Sequence, residues 1–562
     1  MKLHVLSIIC LVAFPLVASP VGARAQVRMG EAAAVTFTSS NLPIVVIDTH
    51  GQEILDEPKI SADMGVIDNG EGVRNNVTDP FNAYDGPIGI EIRGSSSQMF
   101  PKKQYGFETR DSIGNNFNVP LLGLPGESDW VLSAQYNDKS LMRDALVFSL
   151  ANATGHYASR ARYCELVLNG QYAGVYILFE KVKRNKNRVN ITKMTSTDTT
   201  GDAVTGGYLI KIDKIEGTET EGWFSQYLPY PGSAHRIYYQ FEYPKSADLT
   251  MSQRVYIVNY IKAFESMMEG SGYADTLTGY PAMIDVSAFV DIVLLGELSK
   301  NVDDYRLSLF LSKDRDSKGG KLTPGPAWDY NLGFGNCDYY DASLIAGLNI
   351  LYLTTNSSFM MYDDYQVPFW WKKLFVDPAF QARLKQRWHE LRAGPFSTAL
   401  VHAYIDSVAA LLDEAQVRNF TQWPVLGTYV WPNAYIGATY AAEIAYLKQW
   451  ISDRARWLDA QFVIEGVGGA PGNIPATFAL FQNFPNPFNP ETVISFQCPV
   501  ASDVKVIVYD ILGREVAVLV NESKAPGRYR LPFDGSALAS GVYVYRLSAG
   551  PFVESRKMVV LK

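Results

Sequence analysis

The chain is poor in the residues that build thiol and transition-metal chemistry. It has 4 cysteines and 6 histidines among 562 residues. Cys10 sits in an N-terminal apolar run, and Cys164, Cys337 and Cys498 are widely spaced with no Cys-x-x-Cys. That pattern is neither a disulfide framework nor a thiolate metal site. Cys164 lies in an alternating strand pattern and Cys498 ends one, so both read as small core residues. No His-x-His or His-Glu-x-x-His pair occurs, which argues against histidine-based zinc chemistry. Basic charge is also short: 50 Lys and Arg stand against 58 Asp and Glu, a net charge of −8. The electrostatic footprint of a nucleic-acid binder is therefore missing. Beyond the first residues no segment approaches the ~20 continuous apolar residues of a membrane helix.

What is present is a targeted, multi-domain chain. Lys2, the apolar run Leu6–Ala18 and the small-x-small site Ala23-Arg24-Ala25 predict a signal peptide over 1–25, with Gln26 as the new N-terminus. The Gly/Pro-rich stretch 465–476 predicts a linker between a main body, 26–464, and a C-terminal module, 477–562. Aromatics are abundant, with 33 Tyr, 28 Phe and 10 Trp, which favours β-rich structure.

The first part of the body reads as β-rich. Pro43–Asp48 is an apolar strand, Ile88–Arg93 alternates Ile88, Ile90 and Ile92 inward, and Lys103–Thr109 is its partner. Arg162–Leu168 and Gly174–Glu180 form a hairpin across Asn169-Gly170, and Gly207–Asp213 adds a strand. One helix starts at Asp138 or Ser140 and stops at Gly155. The second half is more helical, with helices over 252–268, 285–299, 378–393, 396–416 and 438–460. The helix over 285–299 is apolar almost all round and must be buried. Six short alternating strands after residue 490 predict a small all-β sandwich.

The segment Glu297–Asn331 carries the strongest chemical signal. Asp303 and Asp304 follow the buried helix, a strand-like run covers Leu307–Leu311, and a second strand ends at Trp328-Asp329-Tyr330-Asn331. An aspartate on a loop, a hairpin and an aspartate at a strand end bring two carboxylates together around Mg²⁺ and phosphate, as in protein kinases. An ordinary hairpin with acidic turns has the same spacing. So does a carboxylate pair for glycan hydrolysis, if the two groups lie ~5–9.5 Å apart.

Two resemblances sharpen this. The C-terminal module, with Leu480–Pro490 (LFQNFPNPFNP), Tyr509–Val516 (YDILGREV) and Gly541–Leu547 (GVYVYRL), resembles the type A sorting domain of type IX secretion cargo in the Bacteroidota. The body, with Ile92–Ser97 (IRGSSS), Phe100–Tyr105, Glu165–Lys181 (ELVLNGQYAGVYILFEK), Gly206–Asp213 (GGYLIKID), Asn301-Val302-Asp303 and Trp328–Gly335 (WDYNLGFG), resembles the CotH kinase family, named for a spore-coat protein. The resemblance implies an α+β fold with an atypical, protein-kinase-like two-lobed core: a β-rich N-lobe and a helical C-lobe, followed by the sandwich. It implies ATP with Mg or Mn as cofactors, a secreted or surface protein as substrate, and the type IX secretion machinery as partner.

The resemblance also assigns roles. Asp303 orients or deprotonates the acceptor hydroxyl, with Asp304 as its understudy. Asp329 holds metal, assisted by Asn331. Ser95, Ser96 and Ser97 bring backbone amides to phosphate oxygens, Lys103 reaches the α- and β-phosphates, and Arg93 is a further phosphate partner. The helix over 140–154 has no glutamate for the lysine, so Asp144 or Glu180 would substitute; Phe179–Val182 is where a hinge would meet adenine. Protein kinases place an asparagine five residues after the catalytic aspartate, and here that residue is Ser308. The expected function is a secreted phosphotransferase acting on Ser/Thr of surface or secreted proteins. The alternative is a catalytically silent surface-assembly or adhesion protein on the same fold.

Overall fold

The computed structural model describes residues 35–215, 221–464 and 478–560, apart from 484, 485, 487 and 489. The signal peptide expected over 1–25 and the linker expected over 465–476 lie outside the described residues.

Seven strands close into a barrel: β1 (Ile44–Asp48), β2 (Ile60–Ile67), β3 (Tyr84–Arg93), β4 (Gln104–Thr109), β5 (Asp129–Ser133), β6 (Ala161–Leu168) and β7 (Gln171–Glu180), in the order β6-β7-β5-β4-β3-β2-β1. Period-2 alternation explains it. Ile88, Ile90, Tyr105, Phe107, Trp130, Leu132, Cys164, Leu166, Tyr176 and Leu178 all face one buried core. The Asn169-Gly170 turn links β6 to β7, with φ of 50° and 76° at its two residues. That is the doubly left-handed turn a two-residue hairpin prefers. The ring is completed by β1 lying parallel to β6, Ile44 opposite Glu165 and Ile47 opposite Leu168.

Helix α1 (Arg143–Ala153) follows β5. The Asp138 carboxylate takes the amides of Ser140, Met142 and Arg143 at 3.0, 3.1 and 2.8 Å, and it pairs with the buried Arg143 guanidinium. Neither Asp138 nor Ser140 is the N-cap, which falls on Met142; Asp138 braces the helix start from four residues upstream instead.

The second half carries its own five-stranded sheet, with Tyr208–Ile212 at the centre between Tyr238–Tyr243 and Leu309–Lys313; Gly222–Phe224 and Leu322–Pro324 form the edges. The helical half adds α2 (Met251–Glu269), α3 (Val286–Ser299) and the helices Pro378–Arg392, Thr398–Leu411, Asp413–Gln422 and Tyr440–Gln461, of which Asp413–Gln422 packs on β7 of the barrel, its Asn419 Oδ1 accepting the Val175 amide at 3.1 Å. The single helix expected over 396–416 is broken at Leu412, whose φ −89° and ψ 2° leave the helical well. The strand expected at Leu307–Leu311 starts at Leu309, because Tyr305 and Ser308 take left-handed conformations. Its partner ends at Pro324, so Trp328–Asn331 is loop.

The C-terminal module is a sandwich of two sheets. Glu491–Cys498 lies between Ala479–Leu480 and Gly527–Asp534 in one. The other runs Glu515–Lys524, Ser502–Tyr509, Gly541–Ala549 and Phe552–Val560. Ile494, Phe496, Val506, Val508, Leu547 and Met558 fill it. Buried Tyr545 donates its hydroxyl to the Phe481 carbonyl at 2.7 Å and accepts the Asn483 amide at 2.7 Å, fixing the N-terminal motif of the module.

Candidate active site

Two loops bring the expected carboxylates to one cleft. The first leaves α3 at Lys300, which takes a left-handed conformation (φ 49°) and stops the helix. The following turn is closed by the Leu307 amide on the Asp303 carbonyl at 3.0 Å. Arg306 then locks Asp303. Its Nη2 donates to Asp303 Oδ1 at 3.1 Å, its Nη1 to Asp363 Oδ1 at 2.9 Å and its Nε to the Val302 carbonyl at 3.0 Å. A bidentate-capable guanidinium fixes direction as well as charge.

The second loop is held by α1. Asp144 Oδ1 accepts the Tyr330 amide at 2.7 Å, and Arg143 Nε donates to the Gly333 carbonyl at 3.1 Å. Asn301 Nδ2 donates to the Asp329 carbonyl at 3.1 Å, tying the two loops together. Asp329 sits at φ 66°, a backbone state that an aspartate tolerates better than most residues. Trp328 packs against Phe148, Phe179 and Phe310, with ring centroids 6.2, 5.2 and 6.4 Å away, and the Arg93 guanidinium lies 5.4 Å above it. One indole thus joins the barrel, α1 and the second sheet.

The cleft between these loops and the barrel has a volume of about 220 Å³. Asp303, Asp329 and Asn331 line it, and so do Arg93, Ser95, Ser96 and Ser97 from the end of β3. Three expected residues are not brought there. Asp304 is buried in the helical core, where Asn349 Nδ2 donates to it at 3.2 Å. Lys103 turns to the Gln98 carbonyl at 2.6 Å, while its neighbour Gln104 takes the cleft side. Lys102 is no substitute: it is buried, 2.8 Å from Asn419 Oδ1, and burial lowers its ammonium to about 7. Glu180 is buried and held by Arg160 at 2.6 and 2.8 Å and by the Tyr157 hydroxyl at 3.2 Å. Phe179, Lys181 and Val182, not Glu180, face the cleft where the chain leaves β7.

The cations that do reach it are Arg93, Lys181, Lys211 and Lys214; Asp144, Asp213 and Glu242 add acid. Lys211 and Asp213 alternate along one strand, so the i, i+2 spacing in Gly-Gly-Tyr-Leu-Ile-Lys-Ile-Asp was the signal that would have found them. Lys181 closes the motif Glu165–Lys181, one residue past Glu180.

The carboxylates oppose one another. Asp329 opens into the cleft yet is hemmed by protein. Burial, then Asp144, Asp303 and Asp213, push it up to about 7, against Arg93. Asp144 is pushed up to about 6, chiefly by burial. Asp303 is also raised by burial, although Arg306 and Lys214 favour its charge. A cation between them would relieve this repulsion. Asn301 adds a buried Oδ1 with no hydrogen-bond partner. Among the described residues no three His, Cys, Asp or Glu side chains converge on a complete metal site. An oxygen-only, incomplete set fits Mg²⁺ or Mn²⁺, which fill their shells with phosphate and water oxygens.

Comparison with known families agrees with this architecture. The family model described as CotH kinase protein matches residues 90–458, and the chain belongs to that family. A second, the secretion system C-terminal sorting domain, matches residues 482–561. The chain is thus a CotH-family protein with a type IX sorting tail, which marks it for secretion to the cell surface. No helix among the described residues is long and apolar enough to cross a membrane. A search of curated proteins finds no match.

Proposed function

We propose that the protein is a secreted phosphotransferase that moves phosphate from ATP to Ser/Thr hydroxyls of surface or secreted proteins. The barrel serves as the N-lobe and the helical half as the C-lobe of a kinase-like enzyme. The observation that carries this reading is the meeting of Asp303 and Asp329, from two separate loops, opposite Arg93, Lys181 and Lys211 in one cleft.

Asp303, oriented by Arg306, accepts the proton of the acceptor hydroxyl. Asp329 and Asn331 would hold Mg²⁺ or Mn²⁺, which would supply positive charge against the transferring phosphoryl oxygens. Ser95, Ser96 and Ser97 offer backbone amides to phosphate, and Lys181, in place of Lys103, reaches the α- and β-phosphates. Asp144 keeps the Asp329 loop in place by its bond to the Tyr330 amide. A thermal-shift titration of the protein with ATP plus Mg²⁺ or Mn²⁺ tests this. At 100 times Kd the ligand stabilises by ~2.7 kcal/mol, and the rise in Tm must vanish in Asp329→Ala. No shift with either metal rejects the reading.

Two observations favour the catalytically silent alternative. Ser308 lines the cleft where protein kinases place a metal-binding asparagine. The cleft volume of about 220 Å³ also lies below the ~300 Å³ of common ligand sites. Under that reading the chain is a surface-assembly or adhesion protein that keeps the fold without transferring phosphate.

A further inference from the structure

Behind the hairpin of Leu309–Lys313 and Leu322–Pro324 lies a larger groove of about 800 Å³ that the roles above leave unused. It falls within the ~300–1,000 Å³ of ligand sites. Its floor is mostly apolar: Val189, Ile191, Ile284 and Pro324 are buried there, and the one buried cation on it, Arg188, is turned to the Asp129 and Lys181 carbonyls at 2.8 and 3.0 Å. Its rim is basic, although the whole chain is acidic. Lys318, Lys321 and Arg383 are all exposed on it.

The local charges do not cancel. Both groove carboxylates are engaged by amides: Asp285 by Ser287 and Ala288, each at 3.1 Å, and Asp314 by Thr192 and Arg315 at 3.0 and 2.8 Å. Lys318 and Lys321 donate to neutral oxygens, Thr192 Oγ1 at 2.8 Å and the Pro281 carbonyl at 2.7 Å. Arg383 has no carboxylate partner among the described residues. A small phosphate is best held by convergent, buried donors. Exposed cations around an apolar floor instead suit a chain that mixes acidic and apolar side chains.

The groove is also next to the chemistry. A void of about 20 Å³ is lined by Gly325 and Pro326, which also line the groove, and by Asp303, Ser308 and Trp328, which also line the cleft.

We propose that this groove docks an acidic, extended segment of the acceptor protein while a separate hydroxyl enters the cleft; this rests on the phosphotransferase reading. The test is fluorescence anisotropy of the purified protein with a labelled ten-residue peptide of alternating Glu and Leu/Pro, beside a Lys-for-Glu counterpart. The acidic peptide should bind, weaken as salt shortens the reach of exposed charges, and lose at least tenfold in affinity in Lys318→Glu/Lys321→Glu/Arg383→Glu. Asp329→Ala should bind it as wild type does. The docking assignment is overturned if the triple variant binds equally well, if the Lys peptide binds as tightly, or if inorganic triphosphate occupies the groove and the acidic peptide does not. The ATP response of the triple variant separates the two readings. Peptide binding lost with the ATP shift intact supports docking. Peptide binding retained in a protein with no ATP shift leaves a docking groove on a silent family member and removes only the phosphotransferase reading.

Discussion

Charge is treated in opposite ways in two parts of this molecule. In the helical core Glu297 and Arg454 are both fully buried and meet at 3.2 Å. Glu297 also accepts the amides of Asn349 and Ile350, each at 2.8 Å, and Arg454 donates to the carbonyls of Ile345 and Gly347 at 2.6 and 2.7 Å. Charge and hydrogen bonding are matched on both partners. In the cleft, Asp144, Asp303 and Asp213 raise the proton affinity of Asp329, and Arg93 opposes this only in part. A knot whose members satisfy each other is architecture. A cluster whose members repel, facing open space, is built for something that arrives from outside.

The contrast can be broken most forcefully at the knot. Arg454→Ala strands the Glu297 carboxylate and should cost ~3–5 kcal/mol, read as a lower midpoint in urea unfolding followed by tryptophan fluorescence; a loss under ~1 kcal/mol would place the knot and the cleft in the same class. In the cleft, Lys181→Ala removes a charged phosphate contact worth ~1.5–3 kcal/mol. The ATP-dependent thermal shift should fall accordingly, at unchanged basal Tm.

Titration sharpens the comparison. Asp144 and Asp329, pushed up to about 6 and about 7, hold protons more tightly folded than unfolded. Between about pH 4 and 7 the native state should therefore lose stability as pH rises. Asp329→Asn should flatten that part of the Tm–pH curve and leave Tm at pH 8 no lower than wild type. An unchanged slope would mean that the cluster does not repel. Ser308→Asn is a smaller change. Asparagine tolerates the φ of 50° at this position, and an amide oxygen in place of the hydroxyl should tighten Mn²⁺-dependent ATP binding by about 1 kcal/mol, roughly fivefold. The smallest effect is expected from Lys103→Ala, whose ammonium meets only a carbonyl: the ATP shift should not move.

Much of the fold was legible because its signals are local. Asn169-Gly170 dictates its own turn, the apolar surface of α3 dictates burial, and alternation from Ile88 to Ile92 sets the inner face of β3. The site was legible where a motif held the side chain itself, as at Asp303, Asp329 and Ser95–Ser97. It was misread where direction decides. Lys103 and Gln104, or Glu180 and Lys181, are neighbours across a strand end that point different ways, and composition carries no record of which one meets the cleft. Nor did spacing show that Asp304 belongs to the core, because its partner Asn349 is distant in sequence. The barrel's closure was equally hidden, since β1 and β6 are joined only through a pairing some 120 residues apart.

That closure makes the N-terminal boundary unforgiving. Strand β1 is the keystone of the ring, held by β2 on one side and β6 on the other. Ser40 and Leu42, just ahead of it, are already buried and bonded to β6 and to Asn75, so a protease leaves the ring and its supports whole only if it stops short of residue 39. One that cuts past Asp48 opens it and uncovers the edges of β2 and β6 at once, each a row of unpaired amides and carbonyls ready to recruit another chain. For a protein sent to the cell surface, where proteases are met without chaperones at hand, a few residues separate a harmless clip from a seed of aggregation.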